Sequence, residues 1–167
     1  MNYLITGGVR SGKSRYAQNL ATELSPNPVY LATARQWDKD FSERIERHKR
    51  DRDSKWLNVE VEKYISTVNL QNRVIVVDCI TLWLTNFFTD YQYSADPSLE
   101  EAKLEMGKFL KLSNSFIFIS NEIGMGGHAE TEMGRKFADL QGWFNQFLAQ
   151  QVDQVILMVS GIPLIIK

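Results

Sequence analysis

Cysteine occurs once, at Cys79, so no intramolecular disulfide and no multi-cysteine zinc site can form. Long apolar runs are also missing. The longest, residues 155–166, is too short to cross a bilayer and is broken by Ser160, Gly161 and Pro163. No basic stretch followed by an apolar segment precedes the first strand-like run, so a soluble, cytoplasmic protein is expected, with no membrane attachment. Neither sign of charge dominates. Lys and Arg number 19 against 20 Asp and Glu, and a net charge of −1 leaves no general attraction for nucleic acid. Repeats and low-complexity stretches are absent, and histidine is confined to His48 and His128. A chain of 167 residues, 44% hydrophobic, is long enough to bury one proper core, so residues 1–167 are expected to form a single domain.

Against these absences stands one dense motif. Gly7-Gly8-Val9-Arg10-Ser11-Gly12-Lys13-Ser14 is a G-x-x-x-x-G-K-S run directly after the apolar residues 2–6. That spacing lets a tight loop turn its backbone N–H groups around a phosphate chain. Lys13 can then reach the terminal phosphates, and the Ser14 hydroxyl can ligate Mg²⁺. Residues 13–24 carry Tyr16, Ala17, Leu20, Ala21 and Leu24 at helical spacing, so a helix N-terminus would face the same anion. A nucleoside triphosphate is the expected ligand.

Strand and helix signals then alternate. Residues 25–28 read as a stop and turn, 29–32 as a strand, 38–52 as a charged helix, and 55–59 as a further strand. A short helix is expected around 61–68, a buried strand over 73–78, helices over 81–88 and 99–112, and a strand over 115–120. The helix after Gly127 would place Met133, Phe137, Leu140, Phe144 and Leu148 on one face, before a strand over 155–159. Residues 91–98, polar and ending in Asp96-Pro97, read as a mobile loop. Continuous apolar strands between helices predict an α/β fold of the P-loop NTPase, RecA-like class. Its sheet would be mainly parallel, with helices on both faces and an antiparallel C-terminal edge.

Asp78 ends the clearest buried strand. It could hold a water of the Mg²⁺ shell opposite Ser14, or cap the next helix by accepting the N–H of residue 80 or 81. Residues 44–55 concentrate positive charge, six Lys/Arg against three Asp/Glu. Within them His48 follows Phe41 and Ile45 at i+7 and i+3 spacing, on the apolar stripe of the expected helix. A histidine there can be a packed core residue. Neighbouring cations would equally suit it for attack on phosphorus, by keeping the imidazole neutral and stabilising transition-state charge.

Together these residues resemble the bifunctional adenosylcobinamide kinase/adenosylcobinamide-phosphate guanylyltransferase family. The likeness rests on Thr6-Gly7-Gly8 through Ser14, then Arg44-Ile45, His48-Lys49, Arg52, Trp56 and Glu60. It continues through residues 77–86, Ser120-Asn121-Glu122-Ile123-Gly124-Met125-Gly126, and Ser160-Gly161-Ile162-Pro163, so it spans nearly the whole chain. The resemblance implies phosphorylation of the aminopropanol hydroxyl of adenosylcobinamide by ATP or GTP. Transfer of GMP from GTP would follow, through a covalent histidine-GMP on His48. It further implies nucleotide contacts from Ala32, Thr33, Ala34, Lys49, Arg50, Asp51, Arg52, Glu60 and Leu82, and a homotrimer.

Glu60 could read the guanine N–H donors or be an exposed strand-end acid. One departure stands out: after Gly126 the family often has an apolar pair and a proline, where this chain has Gly127-His128-Ala129-Glu130. His128 is therefore the other candidate nucleophile. Trp56, Trp83 and Trp143 are candidates for a subunit contact or for ordinary core positions. Two alternatives use the same loop: a guanylyltransferase without kinase activity, and a RecA-like nucleotide switch.

Overall fold

The computed structural model describes residues 1–35 and 55–167. The expected helix over 38–52 lies outside them. Among the described residues, seven strands form one sheet in the order β3-β2-β4-β5-β1-β6-β7. They are β1 (Tyr3–Gly7), β2 (Val29–Ala32), β3 (Leu57–Glu60), β4 (Val74–Asp78), β5 (Ser115–Ile119), β6 (Gln154–Val159) and β7 (Ile162–Ile165). Every pairing is parallel except β6 with β7, the antiparallel edge that the sequence led us to expect. Ser160 and Gly161, both at positive φ, make the two-residue turn between them.

Buried apolar runs produce the central strands: Ile75, Val76 and Val77 in β4 and Phe116, Ile117 and Phe118 in β5 are fully buried. Alternate residues supply the two faces. Leu4, Ile75, Val77, Phe116 and Phe118 meet α2 (Ile80–Asp90), α3 (Ala95–Phe109) and α4 (Glu132–Gln151). Tyr3, Ile5, Tyr30, Val76 and Ile117 meet α1 (Lys13–Leu24) through Ala17 and Ala21. No described helix is long and apolar enough to cross a membrane.

Four expectations change. Residues 61–68 form only a 3₁₀ turn at Ile65–Thr67, since so short a segment cannot sustain helix nucleation alone. Helix α3 begins at Ala95 rather than near residue 99, with Pro97 in the first turn where its missing N–H costs nothing. Residues 91–94 are accordingly a hydrogen-bonded turn rather than a long loop: the Tyr93 N–H donates to the Phe88 carbonyl at 2.7 Å. Ser98 is buried, its hydroxyl donating to the Ser94 carbonyl. Met133 is half exposed at the start of α4, while Leu140, Phe144 and Leu148 carry the buried stripe.

Candidate active site

The glycine-rich loop leaves β1 at the carboxyl rim of the sheet and feeds directly into α1. A Cβ on Gly7 would lie 2.5 Å from the Met158 carbonyl oxygen and 2.9 Å from Ser11 Oγ, so only glycine fits there. Gly12 has φ 95° and precedes α1 without any side-chain cap, and no acid occupies the helix's first turn. The N–H groups at that end therefore face outward with the positive end of the helix dipole, as an anion site requires. The β6–β7 hairpin closes the loop from behind: Gly161 N–H donates to the Ser11 carbonyl at 2.9 Å. Gly8, Val9 and Arg10 form the exposed crest, while Ser14, on the first turn of α1, is half-buried.

Lys13 folds back into this loop. It is 7% exposed, and its Nζ donates to the Gly8 carbonyl at 2.6 Å. Burial foremost lowers its pKa, against an opposing pull from its neighbours Cys79 and Asp78. The carboxylate of Asp78 accepts the Tyr30 hydroxyl. It does not cap α2; Cys79 holds the N-cap position, with no side-chain cap bond. Burial foremost, and then the charge of Asp78, push the Cys79 thiol up to about 12, although backbone N–H groups of Leu82 and Thr81 reach its sulfur. That thiol is an inert core group.

Along the rim, Ala32 ends β2 and Thr33 is fully buried, its hydroxyl donating to the Cys79 carbonyl at 2.8 Å. Asn86 Nδ2 donates to the Thr33 and Glu62 carbonyls, joining the ends of β2 and β3. Ala34, Arg35, Glu60, Val61 and Glu62 line an open cleft of about 390 Å³. Arg35 is paired with Glu62 at 2.8 Å and Asp90 at 2.9 Å. Leu82 packs, partly buried, against the α1-side core. His48, Lys49, Arg50, Asp51 and Arg52 lie outside the described residues. His128 is exposed beside Gly126 and Gly127. Trp83 is fully buried against Phe87 and Phe144, which removes it from the subunit-contact candidates. Trp56 packs edge-on to Tyr30, and Trp143 is exposed.

The structure thus gathers Gly7 to Ser14 and Asp78 at the centre of the rim, with Ala32 to Ala34 and Glu60 farther along it. Sequence reasoning missed Tyr30, which holds Asp78, and the Met158–Gly161 wall. The glycine at 161 was the available signal for that wall.

Residues 3–166 match the model of the family described as cobinamide kinase/cobinamide phosphate guanyltransferase. The chain belongs to that family. It is 36% identical over 173 residues to the bifunctional adenosylcobalamin biosynthesis protein CobP of Pseudomonas aeruginosa, covering all of this chain and 98% of that one. With the bifunctional adenosylcobalamin biosynthesis protein CobU of Escherichia coli it shares 34% identity over the full length of both. Among solved structures, an ATPase of the type III secretion system of pathogenic bacteria superposes with a TM-score of 0.50 at 10% identity. The match covers 93% of this chain and 50% of that one, a likeness of fold alone. The fold is that of a P-loop NTPase, as expected.

Proposed function

We propose that this enzyme phosphorylates the aminopropanol hydroxyl of adenosylcobinamide, then transfers GMP from GTP to the product, giving adenosylcobinamide-GDP and pyrophosphate through a covalent bond to His48. One observation carries the reading: Lys13 is buried inside an uncapped, glycine-built phosphate loop, its Nζ held by the Gly8 carbonyl, in a chain of this family. Family membership favours the transferase reading over a nucleotide switch.

The chemistry follows from the parts. The loop's N–H groups and the end of α1 hold the phosphate chain, and Lys13 Nζ exchanges the Gly8 carbonyl for phosphate oxygens. Ser14 hydroxyl and Asp78 carboxylate are hard oxygen donors of the kind Mg²⁺ takes when phosphates and water complete its shell. Bound there, Mg²⁺ would neutralise charge on the transferred phosphoryl group. Tyr30 orients Asp78 for that contact. The base of GTP takes the cleft beside Glu60, whose carboxylate suits the guanine N1–H and amino donors, and Ala32, Thr33, Ala34 and Leu82 complete the rim. Lys49, Arg50, Asp51 and Arg52 complete the nucleotide contacts around the nucleophile. His48 attacks the α-phosphorus, pyrophosphate leaves on the loop, and the cobinamide phosphate then displaces His48. The proposal includes a cytoplasmic homotrimer.

Incubation with GTP and Mg²⁺ alone is expected to attach one GMP per chain through an acid-labile, base-stable bond. His48→Ala should abolish the adduct and His128→Ala should leave it. An intact-mass spectrum with no adduct on the wild-type chain, or one that survives His48→Ala, would sink the histidine route.

A further inference from the structure

Transfer of phosphate to an alcohol requires a group that takes the hydroxyl proton, and neither Lys13 nor Asp78 is free to do so. Lys13 carries its own proton for the phosphates, and the Asp78 carboxylate is engaged by Tyr30. Sheet order narrows the search among the described carboxylates. β3, which carries Glu60, lies four places from β1, on the order of 19 Å at the usual strand spacing, whereas β5 is its immediate neighbour at about 4.8 Å.

Glu122 follows β5. Its backbone N–H donates to the Gly7 carbonyl at 3.0 Å, tying it to the first residue of the phosphate loop. Its Oε1 accepts the N–H groups of Gly124 at 2.6 Å and Met125 at 3.1 Å. Among the described residues Oε2 takes no hydrogen bond. One oxygen is thus pinned by a turn, on a residue whose backbone is tied to the loop, while the other takes no bond.

The strand end that carries this carboxylate is held from the opposite side. Gln141 Nε2 donates to Ser120 Oγ at 2.9 Å, and Ser120 Oγ donates to Asn145 Oδ1 at 2.6 Å. Asn121 N–H donates to Thr81 Oγ1 at 3.1 Å. Ile123 and Met125 are exposed next to it, an apolar flank suited to a large amphiphilic acceptor.

We propose that Glu122 is the general base of the phosphorylation half-reaction; the assignment rests on the kinase reading above. As the acceptor oxygen bonds to the terminal phosphorus, its proton moves to Glu122 Oε2. The bond from that phosphorus to the bridging oxygen breaks, the nucleoside diphosphate leaves, and the proton passes on to water.

Glu122→Gln is the decisive variant, because its Oε1 still accepts both turn N–H groups while Oε2 is replaced by a donor. Phosphorylation of adenosylcobinamide should fall about 10²–10⁴-fold in kcat, as loss of a general base does. KM should stay unchanged, the acidic limb of the pH–rate profile should disappear, and the GMP adduct should form at the wild-type rate. Glu122→Asp should recover part of the kinase rate. Wild-type kinase activity in Glu122→Gln overturns the assignment, as does equal loss of kinase and adduct formation, which would mark Glu122 as a turn-former. A wild-type chain that forms the adduct but phosphorylates no cobinamide overturns the kinase reading together with this one.

Discussion

Three helices and an aromatic layer cover the sheet face that bears Leu4, Ile75 and Val77, whereas the face bearing Ile5 and Val76 meets α1 through two alanines. Trp83, Phe87, Phe109, Phe116, Phe118 and Phe144 interlock on the first face, with Trp83 and Phe144 rings 5.5 Å apart. Such a layer buries a large apolar area, with the Lys63 ammonium at its margin 4.8 Å from the Phe87 ring centroid. On the second face, Ala17 and Ala21 let α1 lie close over β1, β5 and β4. That close approach brings Lys13 into the field of Asp78, which alternation places on the same face as Val76. One face therefore supplies stability and the other supplies chemistry.

Mutations can test how separate these roles are. The largest effect should come from Trp83→Ala, which empties a fully buried site and removes the bond from Trp83 Nε1 to the Lys63 carbonyl. A loss of about 3–5 kcal/mol in denaturant titrations is expected, with the nucleotide affinity of the folded protein unchanged. A large change in affinity instead would show the faces to be coupled. Tyr30→Phe acts on the other face by deleting the hydroxyl that holds Asp78. It should cost about 1.5 kcal/mol of stability and weaken Mg²⁺-dependent nucleotide binding, measured by calorimetry with and without the metal.

The smallest effect belongs to the outer end of α2. Hydrogen bonds from Arg35, then Lys63, hold the Asp90 carboxyl down to about 2 from an ordinary 3.8. Because the folded-state value is depressed, the stabilisation is fully present above pH 3.8 and is lost as pH falls through about 2. Asp90 is partly exposed, so Asp90→Asn should cost only about 0.5–1 kcal/mol at neutral pH. The gap from wild type should close on acidification across that window, and urea titrations at several pH values would show whether it does.

What was legible in the sequence followed from local pattern. The G-x-x-x-x-G-K-S spacing, the apolar runs of β4 and β5, and Asp78 at a strand end all depend on residues close together in the chain. What stayed hidden depends on distant partners. Nothing near Tyr30 announces that its hydroxyl will meet Asp78, 48 positions on. Trp83 could have been a surface anchor until Phe144 was brought against it. The turn at 91–94 was misread because its polar residues are tied by backbone bonds that composition does not reveal. Asp78 as a helix cap failed for a similar reason: a tyrosine from another strand claimed the carboxylate first.

The placement of β1 between β5 and β6 also bears on how the protein is made. A nascent chain grown only through β4 already contains every residue of the phosphate motif, yet neither strand that flanks it has emerged. Gly7 and Ser11 then lack the partners supplied by Glu122 and Gly161. The phosphate loop therefore gains its full set of backbone partners only in chains whose long-range strand pairing is complete.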